Sequence, residues 1–203
     1  MHDRAATGVH DDLFARAAVI EADPPLGLLS VDCVALHRDT VQAIRAAAAR
    51  EAGIPAARLL VAATHTHHGP PSATAFQSRR DETWLERLVA DSAAALARAR
   101  EQALPCALGV GTVRVPGLQF NRRHWMRDGT VNTFPGIGNP DALRPAGPVN
   151  PEMHLFAFRP EAGAPLTLVI NYALHLATIS GGADFSADYG GVLTRALQEA
   201  LGP

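Results

Sequence analysis

The run Leu59–Pro70, LLVAATHTHHGP, places His65, His67 and His68 within four consecutive positions at the end of an apolar stretch. On an extended segment alternate side chains share a face, so His65 and His67 are expected to reach the same side before Gly69-Pro70-Pro71 breaks the chain. Neutral imidazole is the commonest metal ligand among side chains, and a strand that delivers two of them to one edge is a way to present an ion. The competing reading is a His-rich surface loop, because a histidine pair two apart is short and common. Two further places have the same character. Asn121-Arg122-Arg123-His124 follows one strand-like run, and His175 follows another, with Ser186-Ala187-Asp188-Tyr189 shortly after. In open α/β sheets, sites collect at strand ends.

The chemistry these residues suit is metal-assisted hydrolysis. A catalytic zinc ion takes three protein ligands and a water, and His65 and His175 are the best pair of ligands. His67 beside them suits a proton shuttle or a donor to a developing oxyanion. Arg122 suits a carboxylate or the oxyanion, which its planar fork matches. Each has a plainer alternative: His67 and His68 as solvated loop residues, Arg122 and Arg123 in surface ion pairs, Asp188 as a first-turn helix charge, Ser186 as an N-cap. His2, His10, His37 and His154 have no companions and read as structural or surface residues. No GxSxG elbow, P-loop or CxxC pair occurs, and Gly136-Ile137-Gly138 is too short to indicate a nucleotide loop.

The elements that must position these groups alternate in type. Leu13–Glu21 and Leu26–Val34 read as a hairpin turned at Asp23-Pro24-Pro25. A helix follows, capped by Asp39 with Gln42, buried along Val41, Ile44 and Ala48, and stopped by Gly53. The strand Arg58–Ala63 leads into the histidines. A second helix spans about Asp81–Ala103, with Trp84, Leu85, Leu88, Val89, Ser92 and Leu96 at helical spacing. Cys106–Val115 is a strand. Asn121–Pro148, rich in Gly and Pro with a turn signal at Asp128-Gly129, reads as a long functional loop or lid. His154–Phe158 and Leu166–Tyr172 are strands joined at Pro160–Pro165, and a helix closes the chain at about Tyr189–Leu201. The order predicts a single α/β domain, a mixed parallel and antiparallel sheet with flanking helices.

At 203 residues the chain is long enough for one domain with a real core, and 47% hydrophobic with 19% charged residues is an ordinary globular balance. A net charge of −2 argues against nucleic acid as a partner. Cys33 and Cys106 lie in apolar runs and read as buried free thiols. No apolar run reaches the length of a transmembrane span. The opening MHDRAATGVHDD has no basic segment followed by an apolar one, so the chain as it stands carries no secretion signal; a cytoplasmic placement is expected if this start is genuine, a secreted one if a signal precedes it.

The segments ATGVHDDLFARAAVI, VAATHTHHGP, FNRRHWMRDGTV, GPVNPEM, VINYALHLATI and FSADYGGVL occur in this order and span nearly the whole chain. In combination they resemble the catalytic domain of the neutral/alkaline (non-lysosomal) ceramidase family. The resemblance implies a zinc-dependent hydrolase cleaving the amide of N-acylsphingosine-type lipids, with Zn2+ as cofactor and a small-molecule or lipid amide as substrate. By matching position, His65 and His175 resemble the zinc-ligand histidines, His67 the histidine that stands beside the metal and helps catalysis, and Arg122 the arginine lining the site.

The chain departs from the family pattern. The family's remaining ligands, a glutamate and a tyrosine, lie downstream of the closing helix, and Tyr172 and Tyr189 are not at the matching place. The family's strand before the ATGVH segment and its Gly-Asp-containing strand after the last helix have no counterpart. Residues 1–203 therefore read as part of such a domain, shortened at both ends. His68 stands where serine is usual, Leu176 where proline is common, and Asn150 replaces an aspartate. A non-catalytic ligand- or metal-binding fragment is the second reading. A TIM-barrel amidohydrolase is a third, disfavoured by the hairpins. A missing strand leaves an unpaired edge, so the chain alone is expected to have low stability or to self-associate. A monodisperse monomer in sedimentation, unfolding cooperatively in urea, would count against that expectation.

Overall fold

The computed structural model describes residues 5–75, 78–161, 166–179 and 181–202. The chain divides into two compact units, one running up to Leu104 and resuming at His175, the other Pro105–Leu174. The fold is α/β, with a mixed sheet and three helices.

In the first unit, β1 (Ala15–Ile20) and β2 (Leu26–Val31) form the expected antiparallel hairpin, and β3 (Leu59–Ala63) lies parallel to β2, in the order β1-β2-β3. A parallel neighbour needs a crossover, which α1 (Arg38–Glu51) provides. Along β2 burial alternates, with Leu29 and Val31 on the inner face. They join Ile44 and Ala48 of α1, Leu59 of β3, and Leu85, Leu88 and Leu96 of α2 (Glu82–Glu101) in one apolar cluster. Of the stripes read from the sequence for α1 and α2, Ile44, Ala48, Leu85, Leu88, Ser92 and Leu96 are buried, and Val41, Trp84 and Val89 are partly so.

Helix ends follow local chemistry. Asp81 caps α2, its carboxylate accepting from the Trp84 N–H at 3.0 Å. Asp39 does not cap α1. That helix starts two residues earlier, after His37, which makes no side-chain cap, and Asp39 sits in the first turn, accepting from Thr40 N–H and pairing with Arg80 at 2.7 Å. Gly53 ends α1 at φ 62, a conformation that costs glycine nothing. The third helix, α3 (Asp188–Leu201), begins where expected.

In the second unit, β4 (Cys106–Arg114), β8 (Glu152–Pro160) and β9 (Thr167–Tyr172) form an antiparallel sheet in the order β4-β8-β9. The Pro160–Pro165 connection lies largely outside the described residues. The stretch Asn121–Pro148 is not an irregular loop. It holds a second sheet, β5 (Arg123–Met126) between β6 (Val131–Thr133) and β7 (Ala142–Pro145). Asp128-Gly129 makes the β5–β6 turn, with the Asp128 carboxylate accepting from Thr130 N–H at 2.9 Å. Four- and three-residue strands are too short to show a period, which is why composition alone suggested a loop.

The two cysteines differ. Cys33 is buried, and burial pushes its thiol up to about 11. Cys106 is exposed, contrary to expectation, as is every residue along β4, on both faces of the strand. Truncating Ile44, wholly buried in the first unit, to alanine is expected to cost about 2–5 kcal/mol, read as a lowered urea midpoint.

Candidate metal centre

The pairing of β3 with the chain leaving β2 continues two residues past the strand. Thr64 N–H donates to the Val31 carbonyl and His65 N–H to that of Cys33, each at 2.9 Å. His65 then enters the left-handed region at φ 74, uncommon for a side-chain-bearing residue and a place where strain of about 1–3 kcal/mol is stored. Its Nδ1 stands 2.5 Å from the Val34 carbonyl. A carbonyl only accepts, so Nδ1 carries the proton and Nε2 keeps the lone pair that could bind an ion. Thr66 is completely buried between the two histidines, its hydroxyl donating to the Ser186 carbonyl at 2.6 Å. His65 and His67 therefore meet, but by a turn rather than by strand alternation.

His175 completes the group. The three ring centroids lie 4.9–5.0 Å apart, and one nitrogen from each ring falls within 4.8 Å of the others. The Nε2 atoms of His67 and His175 are 3.2 Å apart. Two donors bonded at 2.0–2.1 Å to one tetrahedral ion would stand about 3.3 Å apart, so His67 is near enough to share an ion with His175 or to serve as a base beside one that His175 holds. All three side chains are exposed, which gives an ion access from solvent. Partial desolvation foremost, then the nearby His175 and His65, holds His67 below its ordinary value, which favours the neutral imidazole that can accept a proton. The donor set thus fits a borderline cation such as zinc.

What fixes this geometry is a polar seam whose inner end, at Ser186–Asp188, is buried. Residues 7–11 run beside 183–187: Thr7 N–H donates to Ala183 O at 3.1 Å, Phe185 N–H to Gly8 O at 3.0 Å and His10 N–H to Phe185 O at 2.9 Å. Asp11 accepts from the Ser186 hydroxyl at 2.5 Å and from Ala187 N–H at 2.7 Å. Ser186 N–H donates to the His68 carbonyl at 2.9 Å. Asp188, 1% exposed and at φ 55, accepts from the Thr178 hydroxyl at 2.6 Å and from the N–H groups of Thr178 and Ile179 at 3.0 and 3.2 Å. It therefore anchors the segment that carries His175. Burial raises both carboxyls, but their hydrogen bonds outweigh it and hold each below the usual carboxylate range. Gly191 lets Asp11 approach, since a Cβ there would stand 2.8 Å from Asp11 Oδ1.

No protein-family model and no curated protein matches the chain. Solved structures do. It is similar to the crystal structure of neutral ceramidase from Pseudomonas aeruginosa, with a TM-score of 0.68 and 21% identity over 96% of this chain. A ceramidase complexed with C2 aligns with a TM-score of 0.71 and 20% identity over 98%. The chain has the neutral ceramidase fold. It spans about a third of those chains, 31% and 32% of their lengths.

Within this part of the neutral ceramidase fold, the sequence segments that suggested the resemblance at 6–11, 61–70, 175–179 and 185–191 are the ones stitched together. His65, His67 and His175 converge. His68 is half-buried, its Nε2 3.3 Å from the Ile179 carbonyl, so it is not a solvated loop residue. Asp188 is more than a first-turn charge. Ser186 is not the N-cap, which is Ala187, although its hydroxyl accepts from Asp188 N–H at 3.0 Å. Arg122 belongs to the second unit, exposed, with its guanidinium 4.8 Å from the Phe134 ring centroid. His10, His37 and His154 make local pairs with Asp11, Thr74 and Thr112, as structural residues do. His2 lies outside the described residues. Asp11 and Thr66 were not singled out by sequence, and the one available signal was the small-residue pair Gly190-Gly191 beside the Ser-Ala-Asp-Tyr run.

A carboxyl with a depressed folded-state pKa stabilises the fold above its unfolded value, and that contribution is lost as pH falls through the folded value. Asp188→Asn, which tolerates the backbone angle, is expected to lower the melting temperature at neutral pH and to flatten its decline below the usual carboxylate range. Asp188→Ala is expected to cost roughly 1–3 kcal/mol for each donor left unpaired. Thermal melts across pH check both.

Proposed function

We propose that this chain carries the site of a zinc-dependent amide hydrolase of the neutral ceramidase type, acting on an N-acyl amide bond in a ceramide-like lipid or another linear amide. The observation that carries the reading is the convergence of His65, His67 and His175 on a fold shared with neutral ceramidases. His65 and His175 would hold the ion, with the Val34 carbonyl fixing the tautomer and orientation of His65. Bound zinc would lower the pKa of a coordinated water to about 7 and polarise the amide carbonyl.

The chain's own groups account for the proton movements. Hydrolysis joins the water oxygen to the acyl carbon, breaks the C–N bond and leaves a carboxylic acid and an amine. The neutral imidazole of His67 suits the base that takes the proton of the attacking water and returns it to the departing nitrogen. Arg122 is assigned to the developing oxyanion or to a substrate carboxylate, a role supported by the sequence resemblance and by guanidinium chemistry.

Purified chain is expected to contain stoichiometric zinc by elemental analysis, with His65→Ala and His175→Ala each losing it. His67→Ala is expected to retain metal and to lower hydrolysis of an N-acyl amide about 10²–10⁴-fold, the usual contribution of general acid–base catalysis. Zinc binding without turnover in the wild type would favour the binding-only reading. Absence of zinc would reject the metal site in this chain.

A further inference from the structure

The β5–β7 module, with its flanking turns over residues 118–148, combines exposed apolar groups with positive charge. Ile137 is fully exposed at 109%, Phe134 at 67%, and Trp125, Val131 and Leu143 are exposed as well. Side chains of this kind gathered on one small module exceed the scattered apolar exposure normal for a protein surface. The stretch holds four arginines against two aspartates and no lysine or glutamate, a charge of +2 within a chain whose net charge is −2.

The positive groups are available. Arg127 faces Asp141 at 3.5 Å, and the Asp128 carboxylate is occupied by Thr130. Among the described residues, Arg122, Arg123 and Arg144 form no ion pair. Arg122 lies over the Phe134 ring at 4.8 Å, and Arg144 over Trp125 at 5.7 Å. Register puts Trp125 beside Val131 on one side and Arg144 on the other. The turn that presents Ile137 is held by its own bonds, Asn139 Nδ2 to Pro135 O at 2.7 Å and Ala142 N to Asn139 O at 3.1 Å. Nothing need reorganise for Ile137 to be offered outward.

We propose that the β5–β7 module docks this chain on an anionic lipid surface, with Ile137 entering the headgroup layer and Arg123 and Arg144 facing lipid phosphates. Tryptophan and arginine together suit that layer: the indole is amphipathic, and a guanidinium can lie along apolar surface while keeping its charge among polar groups. Such binding grows with apolar area buried and with attraction to anionic lipid. The complementary charge favours lipid phosphate over an apolar protein partner. The proposal is independent of the metal site, so its failure leaves the hydrolase reading untouched.

The test is cosedimentation of the 203-residue chain with phosphatidylcholine vesicles, with and without phosphatidylglycerol, corrected for pelleting of protein alone. Binding is expected to the anionic vesicles and to weaken with added salt. Ile137→Asp, which alters a side chain standing wholly in solvent, is expected to reduce it strongly, and Arg144→Glu by about fivefold or more. Equal binding to neutral vesicles, binding to neither, or an Ile137→Asp variant that binds like wild type would overturn the proposal. So would an Ile137→Asp variant that loses only self-association, which would mark the patch as a contact between copies of the chain.

Discussion

Two carboxylates, the buried Asp188 and the half-buried Asp11, hold one end of the first unit together. They lie in a seam where three distant stretches of chain meet, and among the described residues neither has a basic side-chain partner beyond the exposed His10. Their charge is balanced by backbone N–H groups and hydroxyls, a demanding arrangement because a buried carboxylate tolerates few missing donors. That demand gives the seam its specificity. Asp188 reaches Thr178 and Ile179, Asp11 reaches Ser186 and Ala187, and Thr66 reaches Ser186. Each bond constrains one of the segments that carry the histidines.

The seam explains how three imidazoles are held at short mutual distance. Two protonated rings this close would repel, and this adds to desolvation in holding His67 below its ordinary value. The left-handed turn at His65 adds backbone strain. Both costs are met by the apolar cluster beneath β2 and β3 and by the continuation of their pairing through Thr64 and His65. The result is a group of donors held in place by the protein's own bonds, which is what a binding or catalytic centre requires.

The second unit obeys different rules. Its strands are exposed along one whole edge, its small sheet is stabilised by turns and arginine–aromatic stacking, and its charge opposes that of the chain as a whole. Arg122 illustrates the contrast. It sits on this unit, while His65, His67 and His175 sit on the first.

Much of this was legible in the sequence because it depends on local pattern. Helical spacing marked Ile44, Leu85, Leu88 and Leu96 as core. The Asp81 cap, the Gly53 stop and the Asp128-Gly129 turn each reflect the conformational preference of one or two residues. The histidines announced a centre through composition and short spacing. The tertiary structure decided the rest, because it depends on groups far apart in the chain. Nothing near Asp188 in sequence reveals that its carboxylate meets Thr178, or that Asp11 meets Ser186 across 175 positions. The meeting of His65 with His67 came from a left-handed turn stabilised by Cys33 and Val34, which strand periodicity could not foresee. Cys106 read as buried from its apolar neighbours, but burial depends on what packs over the faces of β4, and that is a property of the tertiary structure.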